Sequence, residues 1–153
     1  MDPHPAPRNF KPSGKNAPAF SSSDARRLTA GAYERGADAY HDARPSYPAE
    51  VAELVGGAAS VLDVGAGTGK LTEALVSPGR RLVAVDPSPD MTRLMRARLP
   101  HVEVVRGAAE ELPLADAAFD AITYAQTWHW LDWRAASAEA HRVAAKDGRM
   151  LLV

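Results

Sequence analysis

From Ser60 onward the chain alternates between two kinds of apolar pattern. Short solid runs (Val61-Leu62-Asp63-Val64, Arg81 to Val85, Val102 to Val105, Phe119 to Ala125) are separated by stretches whose apolar residues recur every three or four positions. Solid runs of this length are strands buried on both faces, and the longer period is that of a helix. Leu71, Ala74 and Leu75 form the first helical face. Met91, Leu94, Met95 and Leu99 form the second, with Ser88 as its cap. Asp132 caps a third helix whose predicted buried stripe is Trp133, Ala136, Ala140, Val143 and Ala144, closed by Lys146-Asp147-Gly148. Met150-Leu151-Leu152-Val153 opens a fifth strand. Strand–helix alternation requires parallel pairing through right-handed crossovers. The expected fold class is α/β: a doubly wound, mostly parallel sheet in three α/β/α layers, incomplete at its C-terminal edge. A parallel strand left at an open edge predicts either a covering partner, such as a homodimer through the strand-five edge, or a chain truncated after strand five.

Upstream the pattern changes. Residues 1–23 carry Pro3, Pro5, Pro7, Pro12, Pro18 and a serine run, and read as a disordered tail. Residues 24–57 read as an N-terminal helical lid segment: a helix from Asp24 to about Tyr40, an extended turn at Arg44-Pro45-Ser46-Tyr47-Pro48, and a short helix from Ala49 to Val55. Residues 58–153 form the α/β domain. The chain has 153 residues, enough for one domain with a real core. It has no cysteine, which excludes disulfides, thiolate metal sites and a cysteine nucleophile. Lys and Arg number 18 against 19 Asp and Glu, so no basic sheath for nucleic acid or an anionic membrane is expected. No apolar run reaches the ~20 residues of a membrane span, and no apolar secretory leader opens the chain. The expected location is cytoplasmic.

The strongest chemical signal is Asp63-Val64-Gly65-Ala66-Gly67-Thr68-Gly69-Lys70, between a strand and a helix, where a doubly wound sheet binds ligands. A phosphate-gripping loop would need glycine at Val64 and Ser or Thr at Leu71. A dinucleotide fingerprint would need glycine at Lys70, which argues against a nicotinamide oxidoreductase. A tight turn with no ligand is the plain alternative. Asp86 ends the second strand about 20 positions downstream, where a carboxylate holds a ribose diol; a simple helix cap is the competing role.

Together these segments resemble the class I S-adenosylmethionine-dependent methyltransferases, specifically the small-molecule branch with the trans-aconitate and ubiquinone/menaquinone enzymes. Val61 to Gly69 looks like the family's first motif, and Val85-Asp86-Pro87-Ser88-Pro89-Asp90-Met91 its second. Gly107-Ala108-Ala109-Glu110-Glu111-Leu112-Pro113, followed by Phe119-Asp120, resembles the third. Thr127-Trp128-His129-Trp130-Leu131-Asp132 and Ala39-Tyr40 through Pro48 resemble subgroup segments. The resemblance implies a Rossmann-like fold and S-adenosyl-L-methionine as cofactor. It implies that Asp63, Gly65, Ala66 and Gly67 face the methionine part, Asp86 the ribose hydroxyls, and Ala109 and Glu110 the adenine, with Pro87 also among the cofactor-binding residues. Gln126 and Thr127 would lie at the sulfonium end, with Tyr40 and Arg44 closing over the methionine carboxylate. Two departures stand out: Ala108 replaces a frequent aspartate, and the family's two further strands are missing.

The implied reaction is methyl transfer to a small-molecule acceptor; the alternative is a truncated fragment that binds cofactor without catalysis. His129 is the candidate general base, with an aromatic lid residue as its plainer role. His41 beside Asp42 reads as a second, solvated pair. His129 and Asp132 alone do not make a metal site. Trp128 and Trp130 alternate, so at most one faces an acceptor pocket. Without cysteine the C5-cytosine route is closed, and Tyr124-Ala125-Gln126-Thr127-Trp128 lacks the Pro-Pro-aromatic motif of nucleic acid amino-methylation.

Overall fold

A computed structural model of the chain describes residue 42 and residues 45–153. The expected tail, the helix from Asp24, and the site candidates Tyr40 and Arg44 lie outside the described residues, as does His41. Asp42 is exposed and pairs with Arg98 at 3.6 Å.

The elements run β1 (Ser60–Val64), α1 (Lys70–Leu75), β2 (Arg81–Asp86), α2 (Pro89–Arg98), β3 (Glu103–Arg106), β4 (Phe119–Tyr124), α3 (Trp133–Val143) and β5 (Ala144–Leu152). A 3₁₀ helix at Ala49–Val55 precedes β1, and a single 3₁₀ turn at Trp128–Trp130 follows β4. The five strands form one sheet in the order β3-β2-β1-β4-β5, and every pairing is parallel. β1 is central: Asp63 lies opposite Ala84 on one side and Thr123 on the other. Strand order reverses between β1 and β4, which opens a crevice at their carboxyl ends.

Period-two alternation sends β-strand residues to two cores. Leu62, Val64, Val83, Val85, Ile122 and Tyr124 pack with Ala136, Ala140 and Val143 of α3. Val61, Leu82, Ala84 and Ala121 pack with Leu71 and Leu75 of α1, with Met95 and Leu99, and with Val55. Ser88 caps α2 by accepting from Met91 N–H, and Asp132 caps α3 by accepting from Arg134 and Ala135 N–H, as their sequence positions predict.

Three expectations are corrected. α3 ends at Val143, and β5 begins at Ala144 rather than Met150. The carbonyls of Arg142 and Val143 accept from Ala117 and Ala118 N–H, so tertiary hydrogen bonds end the helix early. Lys146-Asp147-Gly148 does turn the chain, but as an irregularity inside β5. Asp147 has φ +68°, and a Cβ on Gly148 would stand 2.9 Å from the Phe119 carbonyl. Trp133 is 52% exposed, with the Arg134 guanidinium 5.2 Å over its ring, so the buried stripe starts at Ala136. Periodicity identifies a helical face; it does not say how far the covering layer extends along it.

Two side chains of α3, Arg142 and Glu139, hold the long β3–β4 connection. Arg142 donates to the carbonyls of Leu112 and Leu114 and to Asp116 and Glu139, while Glu139 accepts from Leu112 N–H. At the other end of the sheet Asp120 accepts from Ala59 N–H and from the Ser60 amide and hydroxyl, which stitches β1 to β4. The Ser60 hydrogen bonds hold its carboxyl below the usual carboxylate range.

Candidate functional site

The glycine loop leaves β1 at its carboxyl end and is fastened to β2 by backbone donors. Gly65 and Ala66 N–H both donate to the Val85 carbonyl, at 2.8 and 3.0 Å. Gly67 N–H donates to Asp86 Oδ2 at 2.8 Å, and Ser88 N–H donates to Asp86 Oδ1 at 2.9 Å. The Asp86 side chain is thereby aimed at the loop, each carboxylate oxygen accepting from a backbone amide. Its neighbour Pro87 is exposed and accepts from Arg106 Nε.

The turn needs glycine at two places for different reasons. Gly65 has φ +68°, and a Cβ there would stand 2.5 Å from Thr127 Oγ1. Thr127 thus packs directly on the loop, so the segment after β4 closes one wall of the crevice. Gly67 has φ +58° and nothing within 4 Å of where a Cβ would stand. That open space beside a carboxylate held by amides fits a nucleoside with a free diol.

Asp63, expected to face the methionine part of the cofactor, lies beneath the loop. It is fully buried, and both carboxylate oxygens are taken: Thr72 Oγ1 donates at 2.6 Å and Thr123 Oγ1 at 3.0 Å. It pins β1 to α1 and β4 beneath the loop. Neither threonine is visible as a partner in the sequence, because the Asp63–Thr123 register exists only once β4 lies beside β1.

The β3–β4 connection and the segment after β4 form the remaining walls. Ala109 is buried. Glu110 is half-buried and accepts from Asp132 N–H at 3.0 Å, so its side chain faces the start of α3. Gln126 is exposed in the left-handed region at φ +53°, and its backbone and side-chain amides both donate to the Val153 carbonyl. Trp128 stands edge-on to Tyr124 with centroids 5.0 Å apart, while His129 is exposed beside Trp130. The Tyr124 hydroxyl is buried with no hydrogen-bond partner among the described residues. Burial pushes its pKa up, and the Glu110 and Glu139 carboxylates add to the rise. Among the described residues no group of three His, Asp or Glu side chains could hold a metal.

Residues 62–152 match a family described as Methyltransferase domain. An uncharacterized methyltransferase of Mycobacterium tuberculosis is 50% identical over 125 residues, covering 80% of this chain and 49% of that protein. A ubiquinone/menaquinone biosynthesis C-methyltransferase of Rubrivivax gelatinosus is 37% identical over 95 residues, covering 60% of this chain and 37% of that protein. The crystal structure of a SAM-dependent methyltransferase from Thermotoga maritima superposes with a TM-score of 0.65 at 30% identity, covering 78% of this chain and 58% of that one. The chain spans about half the length of the curated mycobacterial relatives it matches.

The buried Asp63 makes stability depend on pH. Burial pushes its pKa from 3.8 up to about 6, against the pull of the two threonine hydroxyls. Between those two values the native state holds a proton that the unfolded chain has lost, so stability falls as pH rises through that window. Above it the cost is complete, roughly 3 kcal/mol at about 1.4 kcal/mol per pKa unit. We expect Asp63→Asn to gain stability over the native chain as pH rises from 4 to 7 and to hold that gain above pH 7. Urea unfolding of both chains across this range checks it; a difference that stays constant with pH would contradict the assignment.

Proposed function

The chain belongs to the methyltransferase domain family, and we propose that it binds S-adenosyl-L-methionine and takes part in methyl transfer to a small-molecule acceptor. The family and its solved neighbours imply that cofactor. The observation that carries the reading is the Asp86 carboxylate, held by Gly67 and Ser88 amides beside the open glycine loop. When bound, S-adenosylmethionine supplies a methyl group activated on a sulfonium.

In this reading Asp86 accepts from the ribose hydroxyls, with Pro87 alongside. Gly65, Ala66 and Gly67 let the methionine part approach the backbone. Ala109 and the Glu110 backbone border the adenine. Gln126 and Thr127 flank the sulfonium end, and Tyr40 and Arg44 close over the methionine carboxylate. Holding donor and acceptor in line supplies the larger share of the rate. His129 takes the proton of a hydroxyl or amine acceptor; a carboxylate acceptor needs no base. Near-equal numbers of acidic and basic residues favour a small molecule over a nucleic acid. No described helix is long and apolar enough to cross a membrane, and the proposed location is cytoplasmic. The second reading is cofactor binding without turnover.

Calorimetric titration with S-adenosylhomocysteine tests the cofactor site. Asp86→Ala should weaken binding at least tenfold, since each charged hydrogen bond contributes about 1.5–3 kcal/mol. A folded native chain that does not bind sinks the reading. With an acceptor in hand, His129→Gln should lower turnover by about 10²–10⁴ and flatten the acid limb of the pH–rate profile; an unchanged limb removes His129 from the chemistry. We also propose a homodimer through the β5 edge, where Met150 is 45% and Leu152 54% exposed. Sedimentation should show a dimer that Leu152→Lys converts to monomer, and a native chain that sediments as a monomer refutes it.

A further inference from the structure

We propose that Glu110 is a positioning residue that couples occupancy of the adenosine pocket to the aromatic segment Thr127–Asp132. The inference rests on the cofactor reading above and deepens it.

The starting point is an incomplete cap. Asp132 fills one half of a capping box by accepting from the amides of Arg134 and Ala135. The other half needs a carboxylate or amide side chain at the third helical position to reach back to the cap's own N–H. That position is Ala135, which has neither. Glu110 supplies the missing acceptor from 22 residues upstream, with its Oε1 3.0 Å from Asp132 N. The bond crosses between two walls of the crevice. One wall is the β3–β4 connection, where Ala109 is buried against the core and Glu110 follows it. The other is the segment carrying Trp128, His129 and Trp130.

Neighbouring contacts limit how freely the two walls move. The Arg142 and Glu139 hydrogen bonds anchor the connection at Leu112 and Leu114, beyond Glu110. Trp128 rests edge-on against Tyr124 at the end of β4. Leu131 N–H donates to the Trp128 carbonyl, and Trp130 N–H to the Thr127 carbonyl, so residues 127–131 form one compact turn. That turn enters α3 at Asp132, the residue Glu110 holds. A ligand that orders residues 107–110 therefore restrains the Glu110 carboxylate, and through Asp132 N–H it restrains the turn. By linkage, an acceptor that orders the turn strengthens cofactor binding by the same factor. The physical element is the Glu110–Asp132 hydrogen bond between the two walls, which one substitution can cut.

Hydrogen exchange of the full chain, with and without saturating S-adenosylhomocysteine, reads the coupling directly. In the native chain the ligand should slow exchange at residues 65–69 and 86–88 and also at 127–132. Glu110→Ala, at ligand concentrations that saturate it, should lose the second effect. Glu110→Gln retains a carbonyl acceptor for Asp132 N–H and should restore it, which a general loosening of α3 would not predict. Protection at 127–132 that survives in Glu110→Ala, or is absent from Glu110→Gln as well, overturns the coupling. So does a native chain protected only at 65–69 and 86–88. A native chain protected nowhere overturns the cofactor reading and this inference together.

Discussion

The glycine loop is held to β2 by three backbone amides, and the rest of the site is arranged around that clamp. Gly65 and Ala66 donate to the Val85 carbonyl, and Gly67 donates to Asp86. The clamp requires β1 and β2 to lie side by side in parallel, in the register that sets Val64 opposite Val85. It also requires a backbone that turns back at positive φ, which favours glycine at 65 and 67. Once closed, it aims the Asp86 carboxylate along the loop and leaves open space over Gly67. The loop could not hold this shape on its own, since its acceptors come from a strand some 20 residues away.

Beneath the clamp, a buried polar knot connects the layers. Asp63 reaches Thr72 on α1 and Thr123 on β4, where an apolar residue would leave those hydroxyls only the longer contacts to Met95 Sδ and the Leu62 carbonyl. The raised pKa shows what this costs: desolvation outweighs the two hydroxyl bonds. Such a group is weak evidence for stability. It is better read as fixing the end of β1 relative to its neighbours, so that the loop begins at a set point.

The family is shown by the match over residues 62–152, and its fold by the superposition on a solved methyltransferase. The parallel sheet places the glycine loop, Asp86, residues 107–113 and residues 127–132 at the carboxyl ends of β1, β2, β3 and β4. The two segments that wall the crevice, after β3 and after β4, are distant in sequence and are joined by Glu110 and Asp132. The segment after β4 is therefore tied to the connection that follows β3.

Much of the fold was legible in the residues, as was the position of the glycine loop beside Asp86. Strand positions followed from solid apolar runs, α2 and α3 from period and caps, and the glycine loop and Asp86 from spacing. These are local or motif-level properties, set by backbone sterics and by hydrogen bonds within a few residues. Other features depended on groups far apart in the chain. Trp133 has the right period to be buried and lies outside the packed layer. β5 starts at Ala144 because Ala117 and Ala118 capture the last carbonyls of α3. Asp63 is enclosed by threonines from α1 and β4, and Glu110 accepts from the amide that opens α3. The sequence by itself determined the periodicities, the turns and the identity of the loop, because short-range geometry dictates them. Only the tertiary structure decided which polar groups meet, because a hydrogen bond between segments 22 or 60 residues apart exists only after the sheet has set their register.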